Sequence, residues 1–138
     1  YDVFIMPAAG GVAKRLTYYS TNDIPYCFSA DGKSVMFSSP RVDGQKTTTF
    51  PTPALPEVYS VPVDGGRESQ IISVPAEWFR ISKDGNRMLF QDKKGYEDQW
   101  RKHHTSSVTR DIWMYDKSKN SYVKLTTFDG EDRNPLAE

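Results

Sequence analysis

Residues 28–37 read "FSADGKSVMF" and residues 81–90 read "ISKDGNRMLF". In each, two short runs rich in apolar residues flank an Asp-Gly pair, the local signal for a tight hairpin between two strands. Gly32 and Gly85 supply the positive φ that such a turn demands. The two stretches lie 53 residues apart, so one hairpin is written twice.

Other segments recur at the same interval. "YDVFIMPAAGG" (1–11) aligns with "PEVYSVPVDGG" (56–66) and with "RDIWMYDKSKN" (110–120). Asp2, Glu57 and Asp111 open these copies at spacings of 55 and 54 residues. "KRLTYY" (14–19) matches "VKLTTF" (123–128), with "SQIISV" (69–74) as a weaker middle copy. "VFIM", "VYSV" and "IWMY" are β-branched and aromatic, as strands require. No window sustains helical periodicity. A unit of four short strands repeating every roughly 40 to 55 residues is the signature of a propeller blade.

The expected fold is therefore all-β, a β-propeller fragment of four-stranded antiparallel blades. Two blades are complete and two others partial. The third and fourth strands of one blade fall in 1–20, full blades in 24–74 and 77–128, and the start of another in 133–138. A closed ring takes at least about four blades. The remaining blades are thus expected from a longer polypeptide, and bare blade edges would favour self-association. Both ends of the sequence read as cut within the pattern.

Composition narrows the function. Hydrophobic residues make up 37% and charged residues 26%, which suits one domain with a core. Eighteen basic residues balance eighteen acidic ones, so no net field recruits nucleic acid. No apolar run approaches the roughly 18 to 20 residues that span a bilayer. The single Cys27 rules out an internal disulfide and reads as a small buried hydrophobe.

The ordered motifs "LT…NDIPYCFSADGKSVMFSS…VYSVPVDGG" resemble the TolB-like propeller repeat, whose usual form is "LT…P.FSPDG..I.F…IY..D..GG". The match covers nearly the whole chain. It departs at Ala30 and Lys83, which stand where the family prefers proline. The insertion "WRKHHTSSVTRDIWMYD" is most similar to the first propeller of tricorn protease homologues. That resemblance implies a non-catalytic segment of a serine peptidase whose nucleophile and histidine lie in later domains. It also implies contacts with those domains, passage of peptides and export to the periplasm. A TolB-like interaction propeller of the cell envelope, with no peptidase attached, is the alternative.

Blade connectivity places the A–B and C–D turns on one face and the B–C connections on the other. Two long B–C connections, from about Pro40 to Pro56 and from Asp92 to Arg110, share that second face. Connections beyond about 12–15 residues are uncommon unless they carry function or are disordered. The second holds Trp100, Arg101, Lys102, His103, His104 and Arg110, the candidate surface for a peptide or a neighbouring domain. Arginine suits a carboxylate because its guanidinium offers two parallel donors. The competing structural reading has Trp100 packing the loop down while Arg110 and Asp111 pin the strand that follows.

Metal and nucleophilic chemistry fit poorly. Zinc needs three or four ligands at about 2.0–2.3 Å, and adjacent histidines in extended chain point to opposite sides. Ser106 and Ser107 stand near His104 in sequence, but no strand-turn-helix elbow presents either as a nucleophile. No cofactor motif is present. Asp31 and Asp84 precede turn glycines and are expected to bond their own backbone. Trp78, Phe79 and Trp113 are expected in the core between blades.

Overall fold

A computed structural model describes residues 1–42, 55–94 and 108–136. The secondary structure of these residues is all strand and turn. β1 (Phe4–Ile5) and β2 (Lys14–Arg15) form a short antiparallel pair. β3 (Ile24–Phe28), β4 (Ser34–Ser39), β5 (Glu57–Pro62) and β6 (Ser69–Ile72) form an antiparallel sheet in sequence order. β7 (Ala76–Ile81), β8 (Arg87–Asp92), β9 (Ile112–Asp116) and β10 (Ser121–Lys124) form a second sheet of the same order. β3 and β7, the first strand of each sheet, lie beside one another.

The repeated turns account for this order. In "SADGKS", Ser29 Oγ donates to Asp31 Oδ1 at 2.6 Å and Lys33 N donates to the same oxygen at 3.0 Å. Gly32 closes the turn at φ +69°. The "SKDGNR" turn repeats it, with Ser82 Oγ and Asn86 N on Asp84 Oδ1 at 2.5 and 3.0 Å and Gly85 at φ +72°. These local bonds set the hairpin register, and register decides which side chains face inward.

The sheets are held by what lies between them. Met36, Val58 and Ile72 of the first sheet meet Ala76, Phe79, Met88 and Phe90 of the second in one buried cluster. On the opposite side of the first sheet, Val35, Phe37, Tyr59 and Val61 pack against Val3 and Leu16 of the β1–β2 unit. Alternation along β4 produces both layers, because successive side chains point to opposite faces. The first sheet is thus apolar on two faces, as stacked blades require. Residues 133–136 form no ladder, and the amide of Asn134 is tethered to Gln91 Oε1 at 3.2 Å.

Trp78 departs from the expected core. β7 contains a bulge between Glu77 and Arg80, and Trp78 sits there at φ +48°, 47% exposed. The extra residue turns the Trp78 ring outward while Phe79 takes the core position. Trp113 is partly buried against the same cluster, as the sequence implied.

Candidate functional site

Ile24 pairs with Ser38 and Ala76 with Asp92, so the starts of β3 and β7 lie at the same end as the exits of β4 and β8. That end carries both long connections. Most of each connection falls outside the described residues. So do five of the candidate contact residues, Trp100, Arg101, Lys102, His103 and His104. Arg110 is described and is engaged within the chain. Its Nη1 donates to Glu131 Oε1 at 2.8 Å and its Nε stands 3.8 Å from Glu77 Oε2.

The base of the second connection is a charged network. Asp92 Oδ1 accepts the Asp111 amide at 2.8 Å, and Asp92 Oδ2 accepts the Trp113 indole N–H at 3.1 Å. Asp111 Oδ2 receives Lys94 Nζ at 2.5 Å, and its Oδ1 lies 2.9 Å from Lys124 Nζ. Burial works against ionisation of Asp111, but the hydrogen bonds from Lys94 and Lys124 outweigh it and hold the carboxyl below the usual range. Trp113 and Asp111 thereby lock the start of β9 into a fixed platform.

The first connection has a different base. Arg41 Nη2 donates to Asp23 Oδ2 at 2.8 Å, and its Nη1 lies 3.4 Å from Glu68. The guanidinium also stands about 5 Å from three rings, those of Tyr19, Phe37 and Tyr59. Sequence reading singled out neither Arg41 nor Asp23. The available signal is the recurrence of an aspartate two or three residues before proline in "NDIP" and "EDRNP".

Between these platforms, where the two first strands meet, lies a hollow of about 520 Å³ lined by Ile24, Pro25, Tyr26, Glu77, Trp78 and Arg80. Tyr26 is the hinge of its aromatic wall, 5.7 Å from the Trp78 ring and 4.9 Å from Phe79. Burial pushes the Tyr26 hydroxyl above its usual value, so it stays a neutral donor. Positive φ at a bulky residue is rare and costs roughly 1–3 kcal/mol, and such strain gathers at functional sites. Glu77 and Arg80 both line the hollow, with Glu77 paired to Lys93 at 2.8 Å.

Elsewhere the residues fill structural roles. Asp31 and Asp84 cap their turns as expected, and the bonds from Ser82 and Asn86 lower the Asp84 carboxyl to about 2. Cys27 is half-buried, and burial raises its thiol above the ordinary range, away from the reactive thiolate. Among the described residues no group of three His, Cys, Asp or Glu is placed to hold a metal ion, and both histidines lie outside them.

Adjacent four-stranded antiparallel sheets, converging on their first strands and joined by buried face-to-face clusters, define a β-propeller fragment. The model of the tricorn protease N-terminal β-propeller domain matches residues 1–137, and the chain belongs to that family. Similar solved structures include a putative TolB from Agrobacterium tumefaciens, at TM-score 0.62 and 20% identity, covering 89% of this chain and 40% of that one. TolB from Acinetobacter baumannii aligns at TM-score 0.59 and 19% identity, covering 91% of this chain and 26% of that one. The chain thus spans less than half of either relative. No curated protein sequence matches it.

Proposed function

We propose that this propeller segment is a non-catalytic part of a tricorn-like serine peptidase and acts as a scaffold with a peptide- or domain-contact surface at the mouth of its axis. The observation that carries this reading is Trp78, half-exposed at φ +48° over the hollow shared by β3 and β7. That hollow opens at the end where both long connections leave the sheets, and the sequence of the second connection carries Trp100, Arg101, Lys102, His103 and His104. The aromatic wall offers flat apolar contact, and Arg101 and Lys102 offer charge to a carboxylate terminus. Arg110 serves as an anchor of this rim. Chemistry is left to domains beyond the propeller.

Titration of short peptides with free carboxylate ends into the purified chain, followed by NMR shifts, tests the reading. Saturable binding is expected to move the signals of Tyr26, Trp78 and Arg80, and Trp78→Ala should weaken it about tenfold or more. Binding that ignores Trp78→Ala would remove the axial mouth as the surface. Peptide hydrolysis by the chain itself, persisting through re-purification, would overturn the non-catalytic assignment. A TolB-like interaction propeller with no peptidase attached is the second reading. The proteins captured by the same rim separate the two.

A further inference from the structure

The repeat puts equivalent residues at the two junctions between neighbouring sheets, and one junction is filled where the other is open. At the first, Ile5 and Val63 pack against the cluster of Val3, Leu16, Val35, Phe37, Tyr59 and Val61. Lys14 reaches across it, and its Nζ donates to Asp64 O at 2.6 Å. By the repeat spacings of 54 and 55 residues, Ser60, Lys117 and Ser69 stand at the places of Ile5, Val63 and Lys14 in the second junction. A serine leaves most of an isoleucine's volume unfilled, and a lysine keeps its ammonium at the surface.

The space left is a hollow of about 220 Å³ between β3–β6 and β7–β10. It lies at the end of the Asp-Gly turns, opposite the long connections. Met36 and Ile71 line it from the first sheet, and Ile81, Met88 and Tyr115 from the second. The two turns abut at its rim, where a Cβ on Gly85 would stand 3.3 Å from that of Ala30. Its volume falls between the roughly 150 Å³ that admits one benzene ring and the roughly 300 Å³ at which drug-sized pockets begin. One amino-acid side chain with its α-carbon substituents is of that size. Two methionines let the wall adapt to differing apolar shapes.

The polar lining carries both signs of charge. Arg87 and Lys117 are engaged through their backbone amides, which donate to Ser82 Oγ and Asn86 O. Their guanidinium and ammonium groups have no ion pair or hydrogen bond among the described residues. The neighbouring Asp84 is bonded within its own turn by Ser82 and Asn86. Across the hollow, Asp31 accepts Ser29 Oγ and Lys33 N on Oδ1, and its Oδ2 takes no bond among the described residues. We propose that this hollow between the sheets binds a free α-amino acid with an apolar side chain. The side chain enters between Met36 and Met88, the carboxylate meets Arg87 and Lys117, and the ammonium meets Asp31. The site stands at the opposite end of the sheets from the axial mouth and does not rest on the peptidase reading, so either can fail alone.

Titration of L-leucine into the native polypeptide carrying this propeller, isotopically labelled at its methionine methyls, tests the site by NMR. Met36→Leu and Met88→Leu assign the two signals, and both are expected to move saturably. N-acetyl-leucine lacks the ammonium and leucinamide lacks the carboxylate, so each should bind at least about fivefold more weakly. Arg87→Gln should weaken leucine by a similar factor and leave leucinamide unchanged. Ser60→Ile combined with Lys117→Val copies the filled junction and should abolish binding without lowering the thermal midpoint. Should that variant fail to fold, the two analogues and Arg87→Gln decide the matter. N-acetyl-leucine binding as tightly as leucine would assign the hollow to plain carboxylates and overturn the amino-acid reading. Equal binding of leucinamide, no saturable shift, or full binding by the folded double variant would overturn it as well.

Discussion

At the amino-terminal side, Val3 and Leu16 lie buried beneath β3–β6 and Asp23 is held by Arg41. At the carboxy-terminal side, Ile112, Leu125 and Asp132 hold the same hydrogen-bonded places on β7–β10, with nothing described above them. The backbone bonds and the Thr17 and Thr126 caps are alike at both sites. Local sequence therefore builds the frame, while burial belongs to whatever packs on it. The difference between the two sides measures what a covering sheet contributes.

The largest expected break in this comparison is Arg41→Ala. It strands a buried Asp23 carboxylate and empties the space between three rings, at a cost of about 3–5 kcal/mol. Urea unfolding should show a lower midpoint with an unchanged slope; a loss under about 1 kcal/mol would mean the clasp is solvated. Next in size is the matched pair Leu16→Ala and Leu125→Ala. The first should cost about 2–5 kcal/mol and the second, in this chain, under about 0.5 kcal/mol. Equal losses would refute the correspondence of covered and bare sites.

The smallest expected effect lies in the exposed turns, which both sheets share. The Asp84 carboxyl is lowered to about 2 by Ser82 and Asn86. A depressed folded-state value means the stabilisation is complete above the unfolded aspartate value near 3.9 and fades as pH falls toward about 2. Solvent screening keeps the effect small. NMR titration should place the Asp84 midpoint well below that of an unbonded aspartate, and Ser82→Ala should bring it back up.

The strands and turns could be read in advance because their determinants are short-range. Asp-Gly pairs, Ser-to-Asp caps and apolar alternation act within a few residues, so "FSADGKSVMF" and "ISKDGNRMLF" announce their hairpins unaided. The clasp was harder to see, since Asp23 and Arg41 meet only after β3 and β4 pair in register. Trp78 was misplaced because alternation assumes an unbroken strand, and a single bulged residue in β7 reverses which ring faces inward. Arg110 stands just before β9 in sequence, but its partners Glu77 and Glu131 come together only through folding.

The sequence by itself determined the repeat, the sheet order and the turn chemistry, because each depends on neighbours close along the chain. Only the tertiary structure decided which equivalent positions are covered and which cation holds Asp23. It also decided where an aromatic ring leaves the core for the axial hollow. Those outcomes depend on groups brought together by sheet packing, where desolvation and charge pairing act across distances that sequence order does not record.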